Sequence, residues 1–233
     1  TAADIVSEFH VMQGVRKEFF VGMVESPTRL AVEKWTKSIG LHYIINTVLD
    51  KKLRLYRVAA GHYIQAHRKA VEYAQQVYGI HLTRQPDVIL TSAYPISIDF
   101  WQCGKAVYAP VKVIKPGGEL LVLASCQEGV GPHPNMLPYM GLEDGPEQLA
   151  RRLQNGEVGE DTLTMAVGVS MGRAVRHCHT TWISDGLTAE DCHVGHMSHI
   201  PESQLQQALE QALAQFAHPF LLIIPEGGEA VLI

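Results

Sequence analysis

Gln102 and Lys105 stand three residues apart in the stretch Asp87 to Lys105, DVILTSAYPISIDFWQCGK. On a helix that spacing turns both heads toward one spot. An ammonium beside a carboxamide can hold a small carboxylate and an adjacent hydroxyl, each charge-assisted bond contributing about 1.5–3 kcal/mol. Trp101 and Tyr94 offer flat walls, and Pro95 and Asp99 constrain the loop between them. The plain alternative is a solvated helix face.

A second loop, Ser125-Cys126-Gln127-Glu128-Gly129-Val130-Gly131-Pro132-His133-Pro134, carries two glycines that let backbone approach a ligand. It lacks a GxGxxG fingerprint and a lysine-serine pair, which argues against a nucleotide cradle. His133, held between prolines, reads as a hydrogen-bond donor to substrate. His193, His196 and His199, near His177, His179, Cys178 and Cys192, have ligand-like spacing, but no HExxH pattern accompanies them and we read them as surface or loop histidines. Nothing in the spacing pairs Glu128 with Asp99 for acid/base work.

Both loops follow short apolar runs, so the elements that position them read as strands delivering polar groups to their carboxyl ends, where open α/β sheets bind ligands. The pattern predicts strands at 87–92, 119–125, 179–184 and 219–224, alternating with helices at about 99–112, 145–154, 160–176 and 201–217. Repeated β-then-α order argues a parallel-rich, Rossmann-like sheet with helices on both faces. Before it lies a partial α/β segment: a helix near the start, an apolar strand-like run over 18–24, a helix over 27–39, a hairpin of 42–49 with 53–60 ended by Gly61, and an amphipathic helix over 62–78. Thr83-Arg84-Gln85-Pro86 interrupts the periodicity and marks a boundary between 1–83 and 84–233. The last residues, 230–233, read as an antiparallel edge strand.

The chain has 233 residues, 46% hydrophobic and 18% charged, with a formal charge of −5 and no block of like charges. That gives no electrostatic case for nucleic acid or an anionic membrane. No apolar run approaches the roughly 20 residues that span a bilayer, and no signal-peptide pattern is present, so a cytoplasmic location is expected. Four cysteines without a CxxC pair suit free thiols.

Taken together, Ala60-Gly61, Ala66-His67-Arg68, Ser92-Ala93-Tyr94-Pro95, Asp99-Phe100-Trp101-Gln102, Lys105-Ala106, Lys115-Pro116-Gly117-Gly118 and Glu128-Gly129 resemble the second half of the lactate racemase family, the LarA-like nickel-pincer enzymes. The resemblance spans nearly the whole chain, and its SxYP…WQxxK core is fairly specific. It implies an isomerase of 2-hydroxy acids: a nickel pincer mononucleotide held by an N-terminal domain removes hydride from C2, two histidines of that domain exchange the hydroxyl proton, and a C-terminal α/β domain closes over both. By this likeness 1–83 is the tail of the cofactor domain and 84–233 the closing domain. Gln102 and Lys105 take the substrate-orienting positions, with Trp101 before the glutamine. His10 matches the nickel-ligating histidine, although Phe9 stands where asparagine is expected. Ala166 lies near a pocket tryptophan of some members.

The acid/base histidines and cofactor lysine of the family would precede Thr1, so no catalytic residue is expected in this chain, and the chain alone is expected to lack cofactor and activity. Its implied partners are a small 2-hydroxy acid and an N-terminal cofactor domain, with a homo-oligomer left open. The other reading is a non-catalytic ligand-binding or interaction module with the same fold.

Overall fold

The computed structural model describes residues 3–17, 21–157 and 161–232. In chain order the elements are α1 (Ala3–Gly14), α2 (Pro27–Ser38), β1 (Tyr43–Leu49), β2 (Leu55–His62), α3 (Tyr63–Tyr78), β3 (Gly79–Ile80), β4 (Val88–Ser92), α4 (Phe100–Cys103), α5 (Lys105–Val113), β5 (Glu119–Leu123), α6 (Met136–Gly141), α7 (Pro146–Gln154), α8 (Thr162–His177), β6 (His179–Ile183), α9 (Ala189–Val194), β7 (Ser198–Ile200), α10 (Leu205–Ala214), β8 (Leu221–Ile224) and β9 (Val231–Leu232). A 3-10 turn at Glu202–Gln204 leads into α10. The chain divides into two compact units, one of residues 1–19 with 82–230 and the other of 20–81 with 231–233.

The larger unit is built on a five-stranded parallel sheet in the order β7-β6-β5-β4-β8. Its central strands read as unbroken apolar runs because both faces are covered. Alternate side chains go to opposite faces: Val88, Leu121 and Ile183 pack with Ala212, Leu205 and Leu209 of α10. On the other face Phe100 and Trp182, both fully buried, meet with ring centroids 4.8 Å apart. Helix α8 is apolar around most of its circumference, as a helix enclosed by neighbours must be. Its Met165, Ala166 and Val169 join Leu149 and Leu153 of α7, with Val11 of α1 against them. Gly14 lets α1 cross α8 closely, since a Cβ there would lie 2.5 Å from the Ala166 carbonyl oxygen.

In the smaller unit β1 and β2 form an antiparallel hairpin on which α3 packs. Arg68 of α3 reaches Glu33 of α2 at 2.7 Å and Glu25 at 2.9 Å, and Arg29 shares Glu33. The outer face of the hairpin leaves Tyr43, Ile45, Leu49 and Leu55 exposed.

Several expectations are corrected. The final residues are not an antiparallel edge: β9 pairs parallel with β3 in a ladder of its own. The helix expected over 99–112 is two helices meeting at Gly104. Gly61 does not end its strand, because glycine accommodates φ +146° and β2 runs on to His62. Of the apolar run 18–24, residues 18–20 lie outside the described residues, and 21–24 form turns and bends rather than a strand. Residue 160, the expected start of the third helix, also lies outside them. The sequence reading missed α6, α9 and the edge strand β7, all too short to show a period. Helix α1, grouped there with 1–83, packs on α8.

Among the described residues no helix is long and apolar enough to cross a membrane. The four cysteines are free and buried.

Candidate ligand site at the carboxyl edge of the sheet

Strand β4 ends at Ser92, and the loop that follows returns over the sheet edge to start α4. Asp99 caps that helix, accepting the Gln102 N–H at 2.7 Å. An aspartate followed by glutamine three residues on is a helix-start signature legible in the sequence. The loop after β5 is laced to the first one. Ser125 donates its N–H to Ser97 Oγ at 2.8 Å and its hydroxyl to Ser97 O at 2.7 Å. Glu128 N–H reaches Ile98 O, and Phe100 N–H reaches Gly129 O. Gly131 takes φ +85° and lies so close to Asp99 that a Cβ would sit 2.8 Å from its Cγ. The two loops therefore form one wall.

On this wall Lys105 Nζ donates to Gln102 Oε1 at 2.8 Å, across the break at Gly104. An ammonium has only donors, so the carboxamide oxygen must face it and the amide NH2 is turned away, free to donate. Lys105 is exposed and Gln102 half-buried. The adjoining Trp101 stacks on His133 of the second loop, ring centroids 4.0 Å apart and tilted by 39°. Four of the expected site residues are thus two contacting pairs on neighbouring positions. Tyr94 is 61% exposed, in the first loop, with its N–H on Ser92 Oγ.

Three residues that sequence reasoning did not single out stand behind His133. Thr164, at the start of α8 and almost wholly buried, lies 3.3 Å from His133 Nδ1 through its hydroxyl. Asp161, the residue before α8, accepts from Asn135 at 2.9 Å. Burial pushes the Asp161 carboxyl up, but hydrogen bonding outweighs it and holds it below the usual aspartate range. No local pattern marks Thr164, which becomes relevant only when α8 folds against the second loop.

His10 lies on α1 with Nδ1 on the Val6 carbonyl at 2.8 Å. That bond makes Nδ1 the donor and leaves the Nε2 lone pair open, the usual arrangement of a metal-ligating histidine. Among the described residues no group of three or more metal-ligating side chains forms. Three histidines of the 177–199 group have local partners: His177 the Ile114 carbonyl, His179 Glu119, and His199 the Ser184 carbonyl. His196 takes a left-handed turn with φ +62°.

No family model matches the chain. A lactate racemase of Thermoanaerobacterium thermosaccharolyticum is 29% identical over 97 residues, 41% of this chain and 22% of that protein. A lactate racemase of Lactiplantibacillus plantarum is 23% identical over 195 residues, 82% of this chain and 45% of that protein. Among solved structures, the lactate racemase apoprotein of T. thermosaccharolyticum superposes with a TM-score of 0.81 at 20% identity, covering 98% of this chain and 55% of that one. A Thermotoga maritima protein superposes with a TM-score of 0.65 at 16% identity, covering 98% and 59%. The matches to the curated relatives span less than half their length, and the structural likenesses are at the level of fold. In both sequence and fold the chain is similar to lactate racemases.

Proposed function

We propose that this chain is the substrate-orienting portion of a 2-hydroxy acid racemase or epimerase, with Lys105 and Gln102 holding the substrate carboxylate. The observation that carries this reading is the Lys105–Gln102 contact at 2.8 Å on the carboxyl-edge wall, which leaves ammonium and amide hydrogens together as donors. A carboxylate, which only accepts when ionised, complements that pair. Trp101 stacked on His133 supplies a flat wall for the small carbon skeleton, and exposed Tyr94 stands at the entrance to the same loop.

In this reading residues 84–233 form the domain that closes over substrate, and 1–83 the carboxyl-terminal part of a cofactor domain. His10, through its open Nε2, would be the residue of this chain that holds the nickel of a pincer mononucleotide. When bound, that group supplies the hydride acceptor for C2, and the residues of this chain hold and orient the acid. Specificity for lactate in particular is left open by Ala166, which is small and fully buried against α7.

Titration of the chain with D- and L-lactate, followed by backbone amide shifts, tests the proposal. Binding should perturb residues 99–105 and 129–133, and Lys105→Ala should weaken it about 10- to 100-fold, the loss of one charge-assisted bond of about 1.5–3 kcal/mol. Lys105 is exposed, so folding should be little changed. Equal affinity in Lys105→Ala, or shifts confined elsewhere, refutes the assignment.

A further inference from the structure

We infer that Cys103 and Cys126 are a thiol–disulfide couple: a peroxide oxidises them to a bond that ties the end of α4 to the second loop and weakens ligand binding at the wall they underlie. The effect on binding rests on the substrate-orienting reading above, whereas the disulfide itself does not.

Cys103 ends α4 directly after Gln102, and Cys126 lies in the loop that follows β5. Both are fully buried, and their sulfurs are 3.6 Å apart. Packing alone would account for two small buried side chains. Two observations go beyond packing. Cys126 holds φ +45°, in the left-handed region, where glycine is relaxed and a side chain is strained. A thiol thus occupies a backbone position that favours glycine, and strain of this kind gathers where a side chain is used. The thiols are also ordered: Cys103 donates to the Ile96 carbonyl at 3.7 Å, and Cys126 donates to the Cys103 sulfur. That second bond, against burial and the Asp99 charge, holds the Cys103 thiol below its usual value, while Cys126, which gives the bond, is pushed up. The thiolate is the nucleophile, so Cys103 is the sulfur that attacks. Burial pushes Cys178 up to about 11 and Cys192 up to about 12, and they stay thiols.

Hydrogen peroxide, small enough for a buried pair, balances the step. The Cys103 thiolate attacks one peroxide oxygen, the O–O bond breaks, hydroxide leaves and takes up a proton, and Cys103 becomes a sulfenic acid. Cys126 then attacks that sulfur. The S–O bond breaks, the S–S bond forms, and the hydroxyl leaves as water with the Cys126 proton. The two thiols lose two electrons and two hydrogens, and one peroxide becomes two waters. A dithiol reverses the bond by exchange. Joining sulfurs now 3.6 Å apart draws α4 and the second loop together. The Lys105–Gln102 contact spans the break at Gly104, immediately beside Cys103, so the shift falls on it. Polar contacts to a small ligand are lost by displacements of about 1 Å.

The test treats the folded chain with hydrogen peroxide, blocks remaining thiols with iodoacetamide, and maps peptides by mass. A Cys103–Cys126 bridge should form in the native chain and open with dithiothreitol. Cys126→Ser should stop at a sulfenic acid on Cys103 that dimedone traps. Isothermal titration should show lactate binding about 10-fold weaker in the bridged wild type, the loss of about one charge-assisted bond, and restored on reduction. Cys103→Ser should keep its affinity through the same treatment. A bridge that is absent, forms only in urea, or joins another pair overturns the couple. Unchanged lactate affinity in the bridged chain overturns its effect on the wall. If the reduced wild type binds no lactate, the substrate-orienting reading and the effect on binding fall together, while the peptide map still decides the couple.

Discussion

The contact between Gly131 and Asp99 makes the coupling of the two site loops measurable. Gly131→Ala imposes two costs. Its φ of +85° lies in the left-handed region, where a side chain costs about 1–2 kcal/mol. In addition the new Cβ would lie 2.8 Å from Asp99 Cγ, 3.0 Å from its Cβ and 3.1 Å from its Oδ2, an overpacking of about 1–3 kcal/mol. The single variant should therefore lose about 2–5 kcal/mol. Asp99→Gly removes all three atoms and with them the cap on the Gln102 N–H, a loss of about 0.5 kcal/mol with glycine at the cap. In that background Gly131→Ala should cost little more than its backbone strain, about 1–2 kcal/mol. Urea denaturation of the four proteins, with m unchanged, gives the cycle, and the predicted coupling is about 1–3 kcal/mol. Additive losses within about 0.5 kcal/mol would mean that the loops are not wedged together through these atoms.

Two further outcomes follow from the sheet. Asp87, at the entry to β4, accepts from Lys115 and from the Phe220 N–H at 2.9 Å, and the Lys115 bond above all holds its carboxyl below the usual range. A depressed folded-state value stabilises above the ordinary aspartate pKa of about 3.9 and loses that contribution as pH falls below it. Asp87→Asn should cost roughly 1 kcal/mol at pH 7, with Lys115 half-exposed, and the gap to wild type should close on acidification below about pH 4; a gap that widens there refutes the assignment. Phe100→Ala empties a fully buried site against Trp182 and should cost about 3–5 kcal/mol by urea midpoint, whereas a loss below about 1 kcal/mol would place the ring outside the core.

Much of the scaffold was legible because its signals are local. Val88 to Leu90 and Leu120 to Leu123 read as buried parallel strands from apolar continuity alone, and the stripe of Leu205, Leu209 and Leu213 reads as a helix face. The Gln102–Lys105 pair follows from helical spacing, and the start of α4 from Asp99. Neighbouring residues in the chain determine these features, so sequence suffices. What closed only in three dimensions depends on which distant surfaces meet. Residues 231–232 carry no mark of the β3 edge they pair with, and Ser198 to Ile200 are too few and too polar to read as the strand that closes the sheet. Trp101 of α4 and His133 of the second loop stack because β4 and β5 are neighbours in register. Sequence placed His133 between prolines and so determined that it is held; only the packing of α8 behind it brought the buried Thr164 hydroxyl within 3.3 Å of its Nδ1, because the two residues lie 31 apart in the chain.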